Sequence, residues 1–303
     1  MNVDIVRDPI FLNGFLLVDH DRFDMVDDEE ECSNDVYSYG LNRRYNRYDA
    51  KLPFQNKEPE WILEEPFSKH RLALNRTIKI HGNRYSIFNP AKSLERGQGG
   101  VLTLEIVGSK EYKKPRHENE PWPRFRICQK YTGQYLKKMK SLSMHLDMSF
   151  LTFENKMGDD YDPSLHTLQV VWYLLVGNLN PKSKGYGDFF YFGLPLIDAP
   201  RYTEIPDYCS PNVGWDGADH KIMFQIASKS FLEKPLEKGT SVDFTHPVLS
   251  EIKGSFEYAK EHWFMKDSKF EDLEIVSMTL GFEAPGAFDS KIRINSLSID
   301  KEE

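Results

Sequence analysis

The stretch from Val170 to Asp198 constrains the fold more than any other part of this chain. It is aromatic, punctuated by glycine and nearly free of reactive side chains. It opens with the continuous apolar run Val170-Val171-Trp172-Tyr173-Leu174-Leu175-Val176, and a turn-rich link from Gly177 to Gly185 follows. A run of that length between turn formers reads as a strand buried on both faces. The segment Tyr186 to Asp198 reads as its hairpin partner. Aromatic side chains bury large areas and anchor cores and interfaces alike, so this is the centre of a β-sheet and a candidate edge of a binding surface. No nucleophile stands out in it.

The 303 residues, 40% of them hydrophobic, are enough for one large domain or two modest ones. No apolar run approaches the ~20 residues a membrane helix needs. The opening residues lack the basic n-region of a secretory signal, and Asn13-Gly14 interrupts the first apolar patch. Cys32, Cys128 and Cys209 are far apart and odd in number, which suits a reducing compartment. The expected location is therefore the cytoplasm. A net charge of -8 argues against electrostatically driven nucleic-acid binding.

From residue 1 to about 120 the chain is polar, dotted with proline and poorly periodic. Short strand-like pieces lie at Ile10 to Val18, Thr77 to Ile80, Arg84 to Phe88 and Val101 to Val107. The Lys-, Pro- and Glu-rich stretch from Lys113 to Pro121 is a plausible domain boundary. Beyond Trp122 the pattern sharpens. Met144, Leu146, Met148 and Phe150 alternate with polar residues, the period of a half-buried strand. Ile292 and Ile294 alternate in the last strand, and the parity then shifts to Leu297 and Ile299, which predicts a bulge or the end of pairing. Leu249, Ile252, Phe256, Ala259 and Trp263 recur at helical spacing after Pro247. The expected fold is mainly β with some α. An antiparallel β-sandwich or jelly roll covers residues 121–303, with one amphipathic helix near 247–264, and a smaller, irregular α+β lobe covers residues 1–120.

Signatures of phosphate loops, dinucleotide-binding folds, serine hydrolases, zinc peptidases and thiol redox enzymes are missing. No catalytic residue, metal or cofactor is assigned, and the chain reads as a non-enzyme. His145 and Asp147 share a strand face and could chelate together, but a polar solvent face explains them more simply. Asp188, Asp198 and Asp216 lie near Tyr186, Tyr191, Tyr202 and Trp215. Carboxylates beside aromatics would suit glycoside chemistry, and exposed rings stack on sugar faces. Aspartates at turns are equally explained by hydrogen bonds to nearby backbone. The acidic run through Asp27, Asp28, Glu29 and Glu30 reads as a solvated loop or a partner-facing arm. Arg43, Arg44, Tyr45 and Tyr48 interleave charge and aromaticity in the manner of a docking loop. With Tyr186, Tyr191 and Trp215, these residues are the candidate partner-binding set.

The segment Gly185-Tyr186-Gly187-Asp188-Phe189-Phe190-Tyr191-Phe192-Gly193-Leu194-Pro195-Leu196-Ile197-Asp198, followed later by Gly281-Phe282-Glu283-Ala284-Pro285-Gly286-Ala287-Phe288-Asp289, resembles uncharacterised bacterial and prophage β-sandwich proteins. With its length, the chain is similar to the phage-encoded Gabija anti-defence protein family. That resemblance implies a non-enzymatic inhibitor in the host cytoplasm. It would form a homo-oligomer around a host nuclease-helicase defence complex and keep that complex from acting on DNA. The resemblance transfers no functional residue. The alternative expectation is a carbohydrate-binding or carbohydrate-active β-sandwich using Trp215, Tyr186 and Tyr191, supported by Asp188 or Asp216.

Overall fold

The computed structural model describes residues 2–18, 50–52, 57–112, 114–118, 120, 122–210 and 222–303. One sheet runs in the spatial order β15 (Ser241–Pro247), β10 (Ser141–Asn155), β17 (Phe288–Glu302), β8 (Leu102–Val107), β7 (Lys92–Arg96), β6 (Arg84–Phe88) and β5 (Thr77–His81), with β1 (Asn2–Asp4) paired to the end of β17. The other runs β13 (Tyr208–Ser210), β14 (Ile222–Gln225), β12 (Phe189–Ala199), β11 (Leu168–Asn178), β16 (Leu273–Glu283), β9 (Arg124–Lys130), β4 (Trp61–Glu64), β2 (Phe15–Val18) and β3 (Ala50–Leu52). Pairing is antiparallel except between β12 and β14 and between β2 and β4. Among the described residues, two short α-helices, α1 (Gly108–Glu111) and α2 (Leu249–Glu261), accompany the sheets. The protein is a mainly-β sandwich. Among the described residues, no helix is long and apolar enough to cross a membrane.

The apolar run at Val170 is the middle of β11, bonded to β12 on one side and β16 on the other. Alternation sends Trp172 and Leu174 inward beside Phe190 and Phe192 of β12 and Met278, Leu280 and Phe282 of β16. Met144, Leu146 and Met148 of β10 and Ile292 and Ile294 of β17 close the same core from the other sheet. Fully burying one such side chain is worth roughly 1.5–3 kcal/mol, so the interface between the sheets dominates stability.

The parity shift in the last strand is a bulge. Asp147 pairs with Ser296 and Met148 with Ile294, which leaves Asn295 outside the ladder. Its amide donates to Asp147 Oδ1 at 2.8 Å, and Leu297 and Ile299 return to the core. In α2, Ile252, Phe256 and Ala259 are buried as the spacing predicts. Trp263 corrects that expectation. Phe264 N–H donates to Ala259 O at 3.0 Å and Trp263 N–H to Lys260 O at 3.1 Å. These are the two bonds of a Schellman motif, which ends the helix and puts Trp263 in the left-handed region at φ 68. Its ring leaves the apolar stripe and is 79% exposed.

The strand expected over Ile10 to Val18 shortens to Phe15–Val18. The Asp8 carboxylate accepts hydrogen bonds from the Leu12 and Asn13 amides at 2.8 Å each, and the chain turns there instead of extending. Residues 1–120, expected as a lobe, supply strands to both sheets. β8 is hydrogen-bonded to β17, and β4 to β9. Leu63, Leu104 and Ile87 lie in the same core cluster as Trp172 and Ile292.

Candidate functional site

The outward side of the nine-stranded sheet is the face that could meet a ligand. Register carries one row of side chains straight across it: Gln225, Gly193, Tyr173, Thr279, Cys128, Ile62 and Leu16 are successive neighbours on β14, β12, β11, β16, β9, β4 and β2. Directly opposed residues share a face, so these all point away from the core. The centre of the row is Tyr173. Across the strand from it is Gly193, where an added Cβ would come within 2.6 Å of the Tyr173 ring. The missing side chain lets the ring lean over β12 and reach β14, two strands away. There the Tyr173 hydroxyl accepts from Gln225 Nε2 at 2.5 Å and donates to Met223 Sδ at 3.1 Å. Tyr191 stands edge-on to it, with centroids 6.1 Å apart at 76°. Burial holds the Tyr173 phenol above its ordinary range, with the nearby Glu283 charge adding to the effect, so the hydroxyl stays neutral. The result is a partly exposed ring lying along the sheet, with a second ring as its wall.

Two to four residues along the strands from this row lies a charge clamp. Glu283 Oε1 accepts from Arg126 Nη2 at 2.7 Å, and Oε2 accepts from Trp122 Nε1 at 2.8 Å. Arg124 Nε stands 3.3 Å from Oε2. The Arg124 guanidinium also covers the Trp122 ring at 4.8 Å, and Arg116 covers it at 5.0 Å. Burial alone would raise the Glu283 carboxyl, but Arg124 and Arg126 outweigh it and, with Trp122, hold it at about 2. Glu64, almost fully buried, lies directly across from Arg126. A carboxylate held ionised with both oxygens occupied can orient a hydroxyl-bearing ligand through its arginines. It is poorly placed to donate a proton.

Of the sequence-derived candidates, Tyr191 belongs to this face. Tyr186 does not: it is 49% exposed in the link between β11 and β12. Asp27, Asp28, Glu29, Glu30, Arg43, Arg44, Tyr45, Tyr48, Trp215 and Asp216 lie outside the described residues. Asp188 Oδ2 accepts from Ser268 Oγ at 2.8 Å, and Asp198 accepts from Thr167 Oγ1 and from Gln169 Nε2 at 3.4 Å. Both thereby hold local structure. His145 is engaged by Phe244 O at 3.0 Å, Thr245 Oγ1 at 3.2 Å and Ser296 Oγ at 3.1 Å, while Asp147 is bonded to Asn295. Among the described residues, no three His, Cys, Asp or Glu side chains are grouped to hold a metal ion.

No family model matches the chain, and no curated protein matches it. Several solved structures are similar to it. The family 11 xylanase from Neocallimastix patriciarum is 9% identical, covering 78% of this chain and 98% of its own, at a TM-score of 0.41. The family 12 xyloglucanase from Bacillus licheniformis is 9% identical, with 75% and 97% covered and a TM-score of 0.43. A thermostable cellulase derived from Cel12A of Rhodothermus marinus is 10% identical, with 80% and 100% covered and a TM-score of 0.44.

Sequence reasoning missed Tyr173, Gln225, Gly193 and the Glu283 clamp. Tyr173 is the one hydroxyl-bearing ring inside the Val170 run, and Arg124 and Arg126 alternate with Phe125 and Ile127. Those were the available signals.

Proposed function

We propose that the outer face of the nine-stranded sheet binds a saccharide and that the protein is a carbohydrate-binding β-sandwich. The observation behind this reading is the Tyr173 ring, laid across Gly193 and anchored by Gln225 at 2.5 Å. A flat, fixed aromatic face suits the apolar face of a pyranose, and fixed polar groups around it suit hydroxyls. Gln169, Thr279 and the Arg124–Glu283–Arg126 group supply those polar groups along neighbouring rows. The clamp does not supply the proton-donating acid of a glycosidase. A glycoside-cleaving acid must be protonated near neutrality, whereas Glu283 is held at about 2. The test is thermal unfolding across a panel of soluble oligosaccharides, because a ligand that binds only the folded state raises its stability. At least one sugar should raise Tm in the wild type. Tyr173→Ala should abolish that rise, and Tyr173→Phe, which keeps the ring, should retain most of it. A panel that leaves wild-type Tm flat, or an intact rise in Tyr173→Ala, overturns the reading.

A second reading is an interaction protein, including the inhibitor of a nuclease-helicase complex that the sequence resemblance implies. Its support is the exposed aromatic group at the end of α2. Trp263 is 79% exposed and Tyr258 42%, and Tyr258 is stacked on His262 with centroids 4.0 Å apart. Trp is over-represented at binding hot spots, and here it occupies a left-handed position that glycine would fill with less strain. Titration into DNA cleavage by purified Gabija complex should suppress cleavage, and Trp263→Ala should relieve the suppression. Cleavage that continues at saturating protein rejects this reading.

A further inference from the structure

On the helix side of the molecule, away from the Tyr173 face, two hollows of about 600 Å³ and about 300 Å³ share Lys253, Phe270 and Glu271 and together form one groove along α2. Its apolar lining comes from Leu136, Met139 and Leu142 at one end and from Phe256 and Phe270 at the other. Lys137, Lys140, Lys253, Lys260 and Lys269 line it against Glu257 and Glu271, with the Asp272 carboxylate near Lys137 and Lys269 and that of Glu303 near Lys140. That is an excess of positive charge on a chain whose net charge is -8. Several of these ammonium groups rest on rings or carbonyls. Lys253 lies over Phe270 at 5.9 Å and Lys260 over Phe256 at 5.4 Å. Lys260 also donates to Ser268 O at 2.8 Å, and Lys140 to Glu303 O at 2.6 Å. Cations held against apolar surface in this way remain available to an incoming anion.

We propose that this groove binds an extended, acidic polypeptide segment that carries apolar side chains between its carboxylates. Charge complementarity and length select that occupant. From Leu249 to Lys260 the helix rises about 16 Å, the span of about five residues of extended chain. The lysines are spread along this length and do not converge on one point. A lone phosphate is best held by donors gathered around a single centre, whereas a series of carboxylates matches a spread of cations. The apolar floor is recessed between the lysines. Leu136, Leu142 and Phe256 are at most 2% exposed, so access is at half-buried Phe270, which a single side chain can reach and the flat surface of a bilayer cannot.

Fluorescence anisotropy with a labelled peptide of alternating glutamate and leucine tests this, using the full chain. The peptide should bind, and rising salt should weaken it. Lys253→Glu, an exposed position shared by both hollows, should weaken binding by about tenfold or more. Lys137→Glu, also exposed and on the other rim, should weaken it independently. Circular dichroism of both variants should match the wild type. Failure of this peptide to bind, equal binding of a lysine-leucine peptide, or unchanged affinity in Lys253→Glu overturns the proposal. So does co-sedimentation with vesicles of phosphatidylcholine and phosphatidylglycerol in preference to the peptide. Loss of peptide binding in these variants with sugar stabilisation intact would separate this groove from the Tyr173 face.

Discussion

Glu283 carries the largest single-residue consequence on the outer face. Its side chain is 14% exposed, and its arginine partners Arg124 and Arg126 are 22% and 20% exposed. Because the folded carboxyl sits at about 2, below its ordinary value near 4.5, its charge stabilises the fold above the ordinary value. That contribution, on the order of 3 kcal/mol, is lost as pH falls from about 4.5 towards 2. Glu283→Gln keeps the shape and one acceptor but removes the negative charge that two guanidinium groups share, which costs about 2 kcal/mol at neutral pH. The expected outcome is a lower denaturation midpoint at pH 7 and a shallower loss of stability between pH 5 and pH 2 than in the wild type. Urea melts at several pH values measure both. An unchanged acid slope in the variant would assign the low-pH loss to other carboxylates. None of this was legible beforehand, because Arg126 and Glu283 are 157 positions apart and only sheet register brings them together.

At the scale of elements, legibility followed length and periodicity. The hairpin of β11 and β12, the alternation of β10 and the bulge at Asn295 were readable because each spreads its pattern over many residues. The N-terminal strands were not. β4 is four residues, all buried, too short to display a period. β7 reads Lys-Ser-Leu-Glu-Arg, a polar sequence, yet Lys92 and Arg96 are buried. Lys92 is 2.5 Å from Glu111 and 3.8 Å from Glu65, both themselves buried, and it also donates to His70 O at 3.0 Å. Arg96 donates to Ile10 O at 2.7 Å and to Asn83 O. Charged residues with such partners occupy core-facing positions that a hydrophobic pattern cannot reveal. The same effect made residues 1–120 look irregular. Where periodicity ran past its limit, at Trp263, the helix ended in a backbone motif whose signal is ordinarily glycine.

The whole molecule is closed by its ends. β1 pairs with β17, bringing Asn2 opposite Glu302, and β17 is also the inner neighbour of β8 and β10. A boundary near residue 120 would have to cut between β8 and β17 in one sheet and between β4 and β9 in the other. Both cuts open rows of backbone hydrogen bonds and expose Leu104, Ile127 and Ile292 from a shared core. Two segments that each complete the other's sheets lack separate cores, so neither can unfold while the other stays packed. The expected outcome is a single unfolding event across the described strands. Hydrogen exchange followed by mass spectrometry through a urea titration should give peptides from β4 and β11 the same midpoint. A fragment of residues 121–303 should lack cooperative melting, since it retains β17 and β9 as raw edges. Two separated midpoints, or a fragment that melts cooperatively at the temperature of the full chain, would restore an independent N-terminal lobe. Saccharide stabilisation in the full chain should then extend to β4 as much as to β11. The reason is that Ile62 and Tyr173 stand in the same row of the same sheet, and a ligand held at one end of a cooperative unit protects all of it.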